Sequence, residues 1–266
     1  MGRIVCIANQ KGGVGKTTTA VNLAASLAMM QQRVLLMDLD PQGNATMGCG
    51  VDKHSLERSS CDVLLAEAQL QEAVVEAPAG FDVLPANADL TAAEVGLMSA
   101  PLRDRRLALA LDGTRDAYDY LVIDCPPSLN MLTVNALVAA NGVIIPLQCE
   151  YYALEGLSAL IGTIRQIQST RNPELEIDGI LRTMHDPRNR LTAEVSAQLL
   201  RHFRDQVFRT IIPRNVRLAE APSHGLPIVK YDKSSRGAVC YMALANEYLQ
   251  RDRERTTSNG ERIDHG

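Results

Sequence analysis

Within ten residues, Asn9-Gln10-Lys11-Gly12-Gly13-Val14-Gly15-Lys16-Thr17-Thr18 gathers three glycines, two lysines and two threonines. A short apolar run, Ile4 to Ala8, precedes this stretch and an apolar-periodic run, Val21 to Ala28, follows it, the order strand, glycine turn, helix. Glycines admit backbone conformations closed to other residues, so successive N–H groups can converge on one concavity. The following helix adds its unpaired first-turn N–H groups and the positive end of its dipole. Such a nest suits a polyphosphate, with Lys16 reaching the β- and γ-phosphates and the Thr17 hydroxyl binding Mg²⁺. The common phosphate-loop pattern asks for glycine where this chain has Gln10, and a second lysine, Lys11, opens the loop instead. Since Lys16 already serves the phosphates from within, Lys11 is free to point elsewhere, including across a subunit boundary.

Three carboxylates could join this chemistry. Val34 to Met37 reads as a buried strand that ends in Asp38 and Asp40, and Tyr118 to Ile123 as another that ends in Asp124. Ligands in open α/β sheets collect at the carboxyl ends of strands. An apolar strand ending in Asp is how a phosphate-loop enzyme brings a second carboxylate near Mg²⁺. Pro41 and Gly43 make the segment after Asp40 a loop rather than a helix, a place for a nucleotide-sensing switch.

The elements that must hold these groups alternate along the chain. Helices are expected over 16–30, 61–73, 90–98, 102–111, from Ser128 as cap to Ala140, over 154–167 and 191–207, and over about 235–249. Strands are expected at 80–85, 143–147, 177–184 and 208–213. That alternation predicts a doubly wound, mostly parallel sheet flanked by helices, of the phosphate-loop NTPase type. Residues 1–250 read as a single domain. The polar stretch 251–266 has only Ile263 as a bulky apolar residue and is expected to be a disordered tail.

Composition narrows the classes. At 46% hydrophobic and 22% charged, 266 residues suffice for a sizeable core. No apolar run is long enough to span a bilayer, and no cationic leader with a cleavage site opens the chain, so the expected compartment is the cytosol. The six cysteines form no C-x-x-C pair and read as free thiols. The net charge of −4 excludes a polycation that coats nucleic acid. Between Arg182 and Arg236, however, eleven Lys/Arg face five acids, which suggests a local basic face. His224, in a Pro-Ser-His-Gly loop, reads as structural.

Lys11-Gly-Gly-Val-Gly-Lys16-Thr17-Thr18, Asp38-Leu-Asp40-Pro-Gln-Gly-Asn, Ile123-Asp124-Cys-Pro-Pro-Ser and Ile212-Pro-Arg-Asn-Val-Arg-Leu-Ala-Glu-Ala-Pro-Ser-His-Gly occur in that order. Together they resemble the ParA/Soj chromosome- or plasmid-partitioning ATPases, of the deviant Walker A class that includes MinD. The resemblance covers about Gly2 to Leu249. It implies ATP and Mg²⁺ as ligands and slow hydrolysis to ADP and phosphate. Lys11 matches the lysine that contacts the opposite subunit's nucleotide in an ATP-sandwich homodimer. Gly12, Gly13, Val14, Gly15, Lys16, Thr17 and Thr18 match the phosphate loop, with Thr17 as metal ligand. Asp40 matches the carboxylate that positions the attacking water, Asp38 lies near the metal's water shell, and Asp124 matches the further metal carboxylate. Pro213 and Asn215 match the adenine-side loop. Arg188 and Arg217 match contacts to non-specific double-stranded DNA, and a ParB/Spo0J-type protein is implied as the partner that stimulates hydrolysis. A cytoplasmic, nucleoid-associated protein with no membrane contact follows. The rival readings are a MinD-like membrane-cycling ATPase, an iron–sulfur reductase and an ATP-dependent amidase on the same fold.

Overall fold

Strands that are apolar at every position, not at alternate ones, need cover on both faces. The computed structural model, which describes residues 2–263, provides it. In chain order the elements are β1 (Arg3–Ile7), α1 (Lys16–Met29), β2 (Val34–Asp38), α2 (Asn44–Gly48), α3 (Ser60–Leu65), α4 (Leu70–Ala73), β3 (Val75–Glu76), β4 (Asp82–Leu84), α5 (Leu90–Ser99) and α6 (Arg106–Ala110). They continue with β5 (Tyr120–Asp124), α7 (Met131–Ala139), β6 (Gly142–Gln148), α8 (Ala153–Thr170), β7 (Glu176–His185), α9 (Arg190–Phe203), β8 (Val207–Pro213), α10 (Val216–Glu220), α11 (Ile228–Tyr231) and α12 (Arg236–Ile263).

The strands form one eight-stranded sheet in the order β3-β4-β2-β5-β1-β6-β7-β8. Every pairing is parallel except that of the short strand β3 with β4, as the alternation of elements predicts. Successive side chains on a strand point to opposite faces. Ile4 and Cys6 of β1 accordingly join one apolar layer, beneath α3, α5, α7 and α8, while Val5 and Ile7 join the other, beneath α1 and α12. Each fully buried leucine or isoleucine in these layers contributes about 1.5–3 kcal/mol relative to exposure. The register places Ile7, Asp124 and Asp38 in one row across β1, β5 and β2, so the polar strand ends emerge side by side.

Several expectations are corrected here. The segment after Asp40 turns only as far as Gly43, whose φ of 61° suits glycine, and then enters the one-turn helix α2. The expected helix over 61–73 is interrupted at Ala66, where φ is also 61°, and resumes as α4. Ser128 does not cap α7. Asn130 does, accepting the Thr133 N–H at 3.1 Å, while the Ser128 carbonyl accepts the Thr133 hydroxyl. The last helix does not stop at Leu249, because its polar continuation is bound to the sheet. Arg251 donates to the Val207 carbonyl at 2.8 Å and lies over the Phe208 ring, and Asp252 accepts the Tyr120 hydroxyl at 2.8 Å. Of the stretch expected as a tail, residues 264–266 lie outside the described residues.

Candidate functional site

The phosphate loop joins the carboxyl end of β1, a central strand, to α1. Gly13 and Gly15 both have positive φ, 72° and 87°, conformations that strain any residue with a Cβ. Gly15 precedes the first turn of α1 and offers no side-chain cap, so that turn's N–H groups remain free for an anion. Lys16 is only 6% exposed, and its ammonium donates to the Lys11 carbonyl at 3.1 Å, closing the loop on itself. Burial pulls the Lys16 pKa down, opposed chiefly by the Asp124 carboxylate.

Asp38 and Asp124 are both completely buried, yet they differ in hydrogen bonding. Asp38 accepts the Thr46 N–H and hydroxyl on one oxygen, each at 2.8 Å, and the Asp40 N–H on the other. Burial still raises its pKa, to about 6. Neither oxygen of Asp124 finds a hydrogen-bond donor among the described residues. Burial, and then the Asp38 charge, hold the Asp124 carboxyl well above the usual range; the nearby Thr17 hydroxyl acts in the opposite sense without reaching hydrogen-bonding geometry. A buried, unpaired carboxylate is costly unless a cation joins it. The donor set of Asp124 and the Thr17 hydroxyl, both oxygen, fits a hard divalent cation such as Mg²⁺.

Asp40 is 8% exposed, and one of its oxygens accepts the Gln42 N–H at 3.0 Å. Lys11 sits at the rim, its ammonium 2.5 Å from a Glu150 carboxylate oxygen. Thr17, Thr18, Asn44, Met47, Pro222 and Ser223 help to line a cleft of about 420 Å³ beside the loop. A larger cleft of about 730 Å³ lies at the other end of the sheet, around Arg204, Arg209 and Glu247, and is remote from this chemistry.

The remaining sequence-predicted residues sit at or beyond the carboxyl ends of β7 and β8. Pro213 ends β8, and Asn215 caps α10 by accepting the Leu218 N–H at 3.1 Å. Arg188 follows β7, with its side chain 88% exposed and paired to Asp186, whose carboxyl it draws down to about 2 through hydrogen bonds. Arg217 lies on α10, paired to Glu220. Because His185 and Pro213 are register partners, both arginines follow strands that finish side by side at the same end of the sheet. The basic face expected from 182–236 does not gather all of that stretch's cations. Arg182 is 6% exposed and donates to the Ser196 hydroxyl and the Phe208 carbonyl. The crossover helix α9 then carries Arg201 to the opposite end of the sheet, where Arg204 and Arg209 also lie. The His224 ring stacks on Tyr231, with centroids 4.8 Å apart.

Sequence reasoning missed four supports. The Asn9 amide donates to the Pro146 carbonyl at 2.7 Å and accepts the Lys11 N–H, fixing the loop's entrance. The Thr183 hydroxyl donates to the Val14 carbonyl at 2.8 Å. Thr46 holds Asp38, and Glu150 holds Lys11. Thr183 and Glu150 are 169 and 139 positions from the groups they hold, while Asn9 and Thr46 lie within eight residues of Lys11 and Asp38.

The AAA_31 family, described as an AAA domain, matches residues 2–177. The sporulation initiation inhibitor protein Soj of Bacillus subtilis is 52% identical over 93% of this chain and 98% of its own. The chromosome partitioning protein ParA of Myxococcus xanthus is 51% identical over 95% of this chain and 89% of its own. Among solved structures, cobyrinic acid a,c-diamide synthase of Mycobacterium smegmatis, with bound ATP analog and magnesium, superposes with a TM-score of 0.84. It is 37% identical, over 95% of this chain and 96% of that one. The partitioning relatives are thus markedly more similar in sequence than that synthase, which shares the scaffold. With the four motifs in order and the loop, helix and carboxylates assembled around β1, the chain belongs to the ParA/Soj family of chromosome-partitioning ATPases.

Proposed function

We propose that the chain binds Mg²⁺-ATP at the phosphate loop, closes into a homodimer, binds double-stranded DNA without sequence preference, and is released when a ParB/Spo0J-type partner stimulates hydrolysis. The observation that carries the nucleotide part is the pair of orphaned Asp124 oxygens beside Thr17 and the buried Lys16. The M. smegmatis structure holds an ATP analog and magnesium on the same scaffold. Thr17 and Asp124 would hold the Mg²⁺, with Asp38 behind them, and the cation would neutralise charge on the phosphates. Lys16 and the N–H groups from Gly12 to Thr18 bind the phosphates, and Pro213 and Asn215 face the base. Asp40 orients the attacking water. Lys11 reaches the partner subunit's phosphates and acts as an arginine finger does, a device worth about 10³–10⁵ in rate.

Arg188 and Arg217 carry the contact with duplex phosphates, each after exchanging its acidic neighbour for a phosphate. Binding of this kind weakens steeply as salt rises. The proposed place of action is the cytoplasm, on the nucleoid; among the described residues no helix is long and apolar enough to cross a membrane.

The test is the ATPase rate with and without duplex DNA and a centromere-binding protein of the ParB type, together with Lys11→Ala. We expect stimulation by the two additions together. We expect Lys11→Ala to bind ATP, stay monomeric in sedimentation, and turn over about 10³-fold more slowly or worse. A Lys11→Ala protein that dimerises with ATP refutes the role in trans. Turnover at full rate by a dilute monomer, indifferent to duplex, refutes the cycle.

A further inference from the structure

We propose that Glu150 parks the Lys11 ammonium within its own protomer and so sets the threshold for ATP-driven dimerisation. This rests on the reading of Lys11 as a residue that acts across the dimer.

The placement follows from the sheet. β1 and β6 are adjacent and parallel, so the phosphate loop leaving β1 and the turn leaving β6 emerge side by side. That juxtaposition brings together two residues 139 positions apart, and the Lys11 ammonium meets the Glu150 carboxylate at 2.5 Å. The root of Lys11 is fixed separately, by its N–H donating to the Asn9 side chain, which is itself tied to the Pro146 carbonyl of β6. The Lys11 carbonyl accepts the Lys16 ammonium at 3.1 Å. Three ties therefore hold Lys11 in cis, and two of them involve groups that a polyphosphate would claim.

A polyphosphate in the loop competes for the Lys16 ammonium and withdraws that donor from the Lys11 carbonyl. The Lys11 tip remains held by Glu150. Both side chains of this pair are nearly half exposed, 46% for Lys11 and 45% for Glu150, so the bond opens into water with no buried charge left behind. A bond of this kind delays a competing interaction without preventing it, by up to about fivefold in an equilibrium constant. Tyr151 and Tyr152, directly after Glu150, are 74% and 69% exposed on the same rim, where a second protomer would have to approach to receive Lys11. Glu150 is thus a positioning residue: it acts on the nucleotide only through Lys11.

The test is sedimentation velocity of the full chain with Mg²⁺ and a slowly hydrolysed ATP analogue, over a range of protein concentrations, for the wild type, Glu150→Gln and Lys11→Ala. Glu150→Gln is expected to dimerise at a concentration about three- to twentyfold lower than the wild type, since each dimer opens two such pairs, and raising salt is expected to narrow that gap by screening them. A purely structural Glu150 would not produce a gap that salt removes. A Glu150→Gln midpoint that is unchanged, or higher, overturns the parking role; the higher value would put Glu150 to use inside the dimer. The Lys11→Ala arm separates the failures. If Lys11→Ala dimerises like the wild type, the action in trans is wrong and parking falls with it. If Lys11→Ala stays monomeric while Glu150→Gln matches the wild type, parking alone is overturned.

Discussion

Two aspartates are sealed inside the sheet near opposite ends of its strands, and the protein surrounds them in opposite ways. Asp178, near the start of β7, is 1% exposed and saturated. It accepts from the Arg3 guanidinium at 2.6 Å, from the Tyr248 hydroxyl at 2.9 Å, and from Arg255. Those donors come from β1 and α12, so one carboxylate ties the first strand and the last helix to β7. Asp124, at the carboxyl end of β5, is equally buried and has no donor at all among the described residues. A satisfied buried charge serves the fold, since removing one partner strands the others. An unsatisfied one costs stability, and such strain gathers where a ligand will relieve it. The contrast separates the structural end of the sheet from the chemical end without reference to any relative.

That contrast can be broken by mutation. The largest effect expected is for Asp178→Ala, which removes the buried acceptor shared by Arg3, Tyr248 and Arg255 and leaves the two guanidiniums the less buried Glu176 and Asp252. It should cost about 3–5 kcal/mol, or roughly 10 °C in a thermal melt. Nucleotide turnover per folded molecule should be retained.

Asp124→Asn should do the reverse. A carboxyl with a raised pKa favours the fold while protonated and costs stability as pH climbs from the ordinary carboxylate range through the raised value. Near pH 5 the variant and the wild type should therefore melt together without nucleotide. At pH 8 the variant should melt higher, by a few degrees for a gain of about 1–3 kcal/mol. It should also lose Mg²⁺-dependent nucleotide binding, measured by calorimetry. An Asp124→Asn protein that melts lower than the wild type at pH 8 would mean that Asp124 is not strained.

The smallest effect sharpens the chemical end. Thr183→Val deletes the donor to the Val14 carbonyl, worth about 1 kcal/mol. About fivefold weaker ADP binding, with little change in melting temperature, would assign Thr183 to the shape of the loop.

Much of the chemical end was legible in the residues alone. The phosphate loop is local: its glycines, its lysines and the start of α1 are contiguous, and their conformational needs can be read from residue types. The strand ends at Asp38 and Asp124 were legible for the same reason, as apolar runs that stop at a carboxylate. Less was legible where a boundary turns on a few residues. Ser128 was read as the cap of α7, and the structure gives that place to Asn130, two residues on. The basic stretch 182–236 was misleading because a crossover helix sends a contiguous run to both ends of a sheet, and because Arg182 lies beneath α9 rather than on the surface. The run beyond Leu249 looked unanchored because the partners of Arg251 and Arg255 lie on β7 and β8, far away in sequence.

Sequence alone determined which groups this protein possesses at its strand ends: a glycine nest, two lysines, a hydroxyl and three carboxylates, each set by residues next to one another. Only the tertiary structure decided which of those charges are free. Parallel pairing of β1 with β5 and β6 put Asp124 in the dry centre, without a donor among the described residues, and Lys11 at the wet rim beside Glu150. The energy of a charge depends on burial and on neighbours within a few ångströms, and folding supplies both from distant parts of the chain.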